Sequence, residues 1–596
     1  MWHHERRGPI ITFILILATI ITFTSQGQAS SPTVQPSTAS ARKHATRIFN
    51  AVHAAGRLFP SSLAHNGFSF FPATIPRGTL LYHGSRARVP PREPQWLAFE
   101  IEHAETFAVS KTAERRNAAK GEGPPEGVRT EEQKRREAEY EEKSGRKARG
   151  NEHENGNGEG VEDDGEWNSR GYLHTYQALR PLTVLYIDGM SAAKSKKGPL
   201  DSQDLLLRGN KTGDWADYMD EGGRAGDICA LITPWGYDGF VRMEIGFELV
   251  YCDFSSGMGL VSATRTLMPR DKLAEGELYL YQLARAVGQQ FEGLGKGRLE
   301  IDYSSMVSAF YFPVDISNTD DARPDLLRLE SVSLEKLKDM RNHLERVFTR
   351  PKTLTLDWQA ITDTIVSRFA DRVSWMVSET ISSVQFVQEL QVIALTYYDA
   401  ERLANDMPDK GSENETATMV VPVMDPESVA GSEEQTRIED AKKECKGHHL
   451  LPATLMRESW TPEDELVHAA LEVVTGAVCN AILDIYDALA KAHLDSAENA
   501  LEKVIADSKA QMKDLMQALD WAEWKKTRRC PVDQIWFVSM YPYGTDDDHW
   551  SPGCRTVDEM KFPRVGYWDL DYFLDKQKAE EEAKLGEEGA RGNDEL

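Results

Sequence analysis

The stretch TLLYHGSRAR, residues 79 to 88, sets His83, Gly84 and Ser85 directly against an apolar run. A glycine at a strand end lets backbone amides come close to a flat group such as an amide, and a nearby aromatic ring can stack on such a group. Trp96 and Phe99, in the run QWLAF just downstream, are the aromatic candidates. Further along, YDGFVRMEIGFELVYCDF carries Glu244 and Glu248, with a strand beginning near Glu248. A carboxylate in a dry site stabilises neighbouring positive charge, such as the oxocarbenium-like state reached when a C–N glycosidic bond breaks. The same residues have structural readings: His83 as a satisfied strand-end histidine, and Glu244 and Glu248, two strand periods apart, as one solvated face. Ser85 lacks the neighbours of a nucleophile elbow.

These side chains need a β-rich frame. The runs TLLYH, QWLAF, LTVLYI and FELVYCDF are rich in Leu, Val, Tyr and Phe and bounded by Gly, Pro and Asp, so each predicts a strand. A helix carrying Ala104 and Phe107 follows QWLAF. Beyond about Asp325 the period becomes helical: Trp358, Ile361, Ile365, Phe369, Val373 and Met376 form one stripe. Thr461-Pro462-Glu463-Asp464 supplies an N-cap, a first-turn proline and acidic residues for a second helical stretch reaching about Lys526. The expected fold class is α+β, with a β-rich domain over 45–270, a mostly α-helical region over 271–576 and an acidic tail over 577–596. Residues 111–168 are densely charged with few apolar side chains and read as a disordered insert, with a charged helix near 130–148. GLGKG at 293–297 lacks the spacing of a phosphate loop.

In their order and strand context, LLYHGS, QWLAFEIEHAETFA and the glutamate of FELVY resemble the three motifs of the ADP-ribosyltransferase superfamily. The match is to its His-Tyr-Glu branch, which includes the poly(ADP-ribose) polymerases, and it covers residues 76–256 without the insert. The resemblance implies an ADP-ribosyltransferase-like domain acting on NAD. His83 would then bond a ribose hydroxyl, with Ser85 beside it, and the Gly84 backbone would meet the nicotinamide amide. Trp96 or Phe99 would form a wall, and Glu248 would hold the nicotinamide-ribose 2'-hydroxyl and stabilise the developing charge. Glu100 departs from the pattern, standing where related enzymes often have a small polar residue. The implied activity is ADP-ribose transfer to an unknown acceptor protein or small molecule, or NAD hydrolysis. A noncatalytic secreted interaction protein on the same fold is the alternative.

The 596 residues carry 95 acidic and 69 basic side chains, a net charge of −26 that disfavours nucleic-acid or anionic-lipid partners. Basic residues ahead of an apolar run from Ile10 to Phe23, then small residues, read as a signal peptide over 1–29. No later segment is expected to supply a membrane span, so the mature chain is expected to be soluble. The sequons at Asn210 and Asn414 are candidate glycan sites, and the terminal Asn-Asp-Glu-Leu is one residue from an endoplasmic-reticulum retention signal. Secretion and retention both follow as expectations. Of six cysteines, Cys530 and Cys554 bracket an aromatic-rich stretch and are the expected pair. Cys445 with His448 and His449 is a partial metal-ligand set with no second ligand pair, so the stretch reads as an ordinary polar loop and no metal site is expected.

Overall fold

A computed structural model describes residues 33–65, 67–108, 171–209, 219–265, 277–294, 297–320, 322–351, 356–398, 431–494, 500–526, 529–560 and 564–568. The signal peptide, the insert, both sequons and the C-terminal tail lie outside the described residues.

Ten strands form one sheet. They are β1 (Ser69–Ile75), β2 (Leu80–Ser85), β3 (Gln95–Ala98), β4 (Tyr172–Ala178), β5 (Leu182–Ile187), β6 (Gly239–Met243), β7 (Phe247–Tyr251), β8 (Met258–Arg265), β9 (Glu300–Ile301) and β10 (Val307–Ser308). Their order is β10-β1-β5-β6-β7-β3-β2-β4-β8, with β9 also on β1. Among the described residues only the β5–β6 pairing is parallel. Strands β6 and β7 are buried at every position, as expected for the middle of a sheet covered on both faces. A second, two-stranded sheet joins β11 (Gln534–Phe537) to β12 (Gly553–Thr556).

The helices that matter here are α1 (Ala45–Ala54), α2 (Ile101–Glu105), α3 (Glu221–Ile232), α4 (Glu277–Val287), α5 (Trp358–Met376), α6 (Gly431–Thr454), α7 (Pro462–Leu494) and α8 (Ala500–Leu519). The predicted stripe on α5 is buried throughout, from Trp358 to Met376. Thr461 caps α7: its Oγ1 accepts from the Asp464 N–H at 3.0 Å, and Asp464 Oδ2 accepts from the Thr461 N–H at 2.8 Å. The α+β class therefore stands, with a β-rich first half and a mostly helical second half.

Three details differ from expectation. Strands β9 and β10 come from beyond residue 270 yet pair with β1, and α1 packs on α5 and α7, so from Val34 onward the chain is one compact unit. Helix α2 ends at Glu105, before Phe107. Over Pro462–Ala492, α7 is long and apolar enough to cross a membrane, although no such later segment was expected. Two-thirds of its apolar window, 67%, is buried inside the protein, so it is accounted for as a core helix.

All six cysteines are paired: Cys229–Cys252, Cys445–Cys479 and Cys530–Cys554. The Cys530–Cys554 expectation holds. The metal reading of Cys445 falls, because its sulfur is committed to Cys479, and His449 Nε2 is bonded to the Tyr397 hydroxyl at 2.9 Å.

Candidate functional site

The three strands that carry the predicted site residues are neighbours, in the order β7-β3-β2. Tyr82 pairs with Ala98, Ala98 with Glu248, and Glu248 with Arg242. Directly paired residues of antiparallel strands share a face, so these four form one row across β2, β3, β7 and β6.

Glu248 is 2% exposed and Arg242 is 2% exposed. Each is the one charged residue of its buried strand. The Arg242 Nε donates to Glu248 Oε1 at 2.7 Å, while Glu248 Oε2 makes no hydrogen bond among the described residues. The structure thus replaces the solvated-face reading of Glu248 with a buried ion pair. Glu244 is not on that strand; it lies in the turn between β6 and β7 and accepts from Lys194 Nζ at 2.6 Å. Burial raises the Glu244 carboxyl above its ordinary value, against the pull of Lys194.

Sequence reasoning missed Arg242 and Glu221. Arg242 was within reach: Met243 pairs with Phe247 around the turn Glu-Ile-Gly, which puts Arg242 opposite Glu248. Glu221, on α3, bonds Arg242 Nη2 and, at 2.5 Å, Arg224 Nη1. Burial pushes the Glu221 carboxyl up, but Arg242, Lys194 and Arg224 together hold it well below the usual carboxylate range.

His83 occupies a different position. Strands β2 and β3 share only the Tyr82–Ala98 pair. Beyond it the His83 Nδ1 donates to the Trp96 carbonyl at 2.9 Å, which fills the parting with a side chain. This bond makes the neutral ring the Nδ1–H tautomer, and Nε2, an acceptor, makes no hydrogen bond among the described residues. Alternation along β2 directs His83 away from the Tyr82 face, toward its cross-strand partner His174. With β3 intervening, its Cα lies about 10 Å from that of Glu248 on the ~4.8 Å strand spacing. Burial, helped by His174, lowers the His83 imidazole to about 4.

The Trp96 ring stacks on His103 at 5.5 Å and meets His83 and Phe107 edge-on. Phe99 is 1% exposed and serves the core, with the Arg298 guanidinium over its ring. Glu100, the departing position, pairs with Arg298 at 2.9 Å and accepts from Gln290. Ser85 Oγ accepts from the Ala87 N–H, a local turn contact. Gly84 has a packing reason to be glycine, because a Cβ there would stand 2.2 Å from the Ala104 carbonyl oxygen of α2. A concavity of about 390 Å³ opens at Leu80, Tyr82, Phe99, Glu100, Ile101 and Arg298, next to the Tyr82 end of the Glu248 row. That volume suits part of a dinucleotide better than the whole.

A family model described as the YPL277C N-terminal domain matches residues 40–276, the part that contains β1 to β8. The chain is similar to the uncharacterized protein YOR389W of Saccharomyces cerevisiae, at 25% identity over 84% of this chain and 82% of the relative. It is also similar to the uncharacterized protein YPL277C of the same yeast, at 29% identity over 55% of this chain and 74% of the relative. No solved structure matches.

Proposed function

We propose that the protein cleaves the nicotinamide–ribose bond of NAD and passes ADP-ribose to an acceptor protein, a small molecule or water. The C–N bond breaks with its electron pair leaving on nicotinamide. The ribosyl cation that develops is stabilised by the Glu248 carboxylate, and the acceptor adds at that carbon and gives up its proton to solvent. Glu248 Oε2 is the oxygen available to a ribose hydroxyl, whereas His83, directed to the other face of the sheet, takes no part in the step. The observation that carries the reading is the row Tyr82–Ala98–Glu248, which brings the three motif strands side by side.

A secreted or endoplasmic-reticulum-lumenal setting is part of the proposal. Its support is that all six cysteines are in disulfides, which persist in oxidising compartments.

A second reading, a noncatalytic interaction protein, is favoured by two contacts. Glu248 already has a partner in Arg242, and Gly84 is accounted for by α2.

Purified mature protein incubated with NAD separates the two. The catalytic reading expects nicotinamide release, reduced by about 10²-fold or more in Glu248→Gln, in which the charge is lost but the shape kept. Wild-type protein that releases no nicotinamide and does not bind NAD overturns it in favour of the interaction protein.

A further inference from the structure

Behind Glu248 runs a chain of alternating charges drawn from four separate segments. Arg242 of β6 bonds Glu248 through Nε at 2.7 Å, Gln203 Oε1 through Nη1 at 3.1 Å and Glu221 through Nη2. Arg224, also on α3, bonds Glu221 and grips Asp204 through Nε at 2.9 Å and Nη2 at 2.8 Å. Arg208 Nη1 closes on the same Asp204 at 2.8 Å. Lys194 Nζ lies 2.6 Å from Glu244 and 3.8 Å from Glu221.

We infer that Arg242 is a positioning residue for Glu248, and that Glu221 is the counter-charge that keeps Arg242 from cancelling it. The inference rests on the NAD reading for its kinetic test only. The bond geometry supports it. Arg242 approaches side-on and takes one carboxylate oxygen, so Oε2 keeps its lone pairs for a ligand. Two further bonds from the guanidinium, to Gln203 and Glu221, fix its plane, so it cannot turn to grip both oxygens of Glu248. The positive charge is shared between two carboxylates, which leaves Glu248 net acidic toward whatever meets Oε2. A clamp needed only to hold the β6–β7 hairpin would require none of this, because the strands already pair at five positions from Gly239 to Met243.

The test uses the full mature chain carrying Arg242→Met, Arg242→Lys or Glu221→Gln. In Arg242→Met the carboxylate loses its counter-charge, so the acid limb of the pH–rate profile for nicotinamide release moves to higher pH and kcat falls about 10- to 100-fold. KM for NAD changes less, and Arg242→Lys recovers part of the rate. Glu221→Gln acts oppositely on the limb, moving it to lower pH, while kcat still falls because the guanidinium now bears on Glu248 alone. This variant also serves if Arg242→Met does not fold.

A readout without turnover is the ¹³C carboxyl signal of labelled glutamate that disappears in Glu248→Gln. It must titrate at higher pH in Arg242→Met, and at lower pH in Glu221→Gln, than in the wild type. An unmoved signal overturns the inference whatever the protein does with NAD. Moved signals in a wild type that releases no nicotinamide uphold it and overturn the NAD reading alone.

Discussion

Trp358 Nε1 donates to Asp464 Oδ1 at 2.7 Å, which ties the first residue of α5 to the first turn of α7 across 106 positions of sequence. The other oxygen of Asp464 is the one that accepts from the Thr461 N–H and hydroxyl, so a single buried carboxylate both caps a helix and joins two. Burial raises the Asp464 carboxyl above its ordinary value, and these bonds work against that shift.

Asp464→Ala is therefore expected to cost more than a lost cap. Capping contributes about 1 kcal/mol, and each buried donor left unsatisfied adds about 1 to 3 kcal/mol. The expected loss is roughly 2 to 4 kcal/mol, read as a lower urea midpoint. Asp464→Asn, which keeps an acceptor for one partner, should fall between the two. A change under 1 kcal/mol for alanine would mean that the Trp358 bond does not form.

This site shows what sequence alone could and could not reveal. The cap was legible because Thr461 and Asp464 are three residues apart and the chemistry is local. The Trp358 bond was not, since nothing in either helix pattern says which indole meets which carboxylate. The sheet divides in the same way. Strands β2, β3, β5 and β7 fall on the runs TLLYH, QWLAF, LTVLYI and FELVYCDF and could be read directly. In β1, Pro72 reads as a breaker, although its carbonyl accepts from the Asp302 N–H at 2.8 Å. In β6, Arg242 interrupts the apolar run, and only its partners Glu248, Glu221 and Gln203 explain how a charge is buried there. At the candidate site, His83, Gly84 and Glu248 could be named from the sequence but their neighbours could not: α2 over Gly84 and α3 behind Arg242 come from the tertiary fold.

Gly84→Ala tests one of those neighbours. The added methyl would stand 2.2 Å from the Ala104 carbonyl oxygen and 2.7 Å from the Ala108 nitrogen, and both are backbone atoms that cannot swing aside. Overpacking of this kind costs about 1 to 3 kcal/mol, occasionally more. A melting temperature several degrees below wild type is expected, even without NAD. If Gly84→Ala melts like the wild type but binds NAD less well, glycine is there for the ligand and not for α2.

The Cys530–Cys554 bridge, at a separation of 24 residues, staples the β11–β12 hairpin in which Trp536 pairs with Cys554. Closing a loop of that length stabilises by about 3 kcal/mol on the chain-entropy model. Replacing both cysteines by serine should lower the urea midpoint accordingly. Nonreducing peptide mapping of the wild type should recover the two peptides joined, and free thiols at both positions would refute the pairing.

Acid stability depends on buried groups of opposite sense. Burial lowers the imidazoles of His83 and His103 to about 4, and it holds His65 well below its ordinary value. In the unfolded chain each takes a proton near pH 6.5, whereas the folded chain resists until far lower pH. Their contribution is full above pH 6.5 and is lost as pH falls toward 4, at up to about 1.4 kcal/mol per pH unit for each. Asp188 acts the other way. Burial raises it to about 7, so the folded chain keeps a proton that the unfolded chain has released, and its contribution is full at acid pH and is lost as pH rises through 7. Among the described residues burial lowers eight imidazoles, His44, His174, His449, His468 and His549 besides these three. It raises four carboxyls, Asp188 to about 7 and also Asp201, Glu244 and Asp464, so stability should fall on acidification. Urea midpoints measured at pH 7, 6 and 5 check this. Asp188→Asn removes one opposing group and should steepen the decline, while His103→Gln should make it shallower. A midpoint that stays level from pH 7 to 5 in the wild type would mean that the imidazoles are not shielded as described. An Asp188→Asn profile parallel to wild type would show that Asp188 ionises normally.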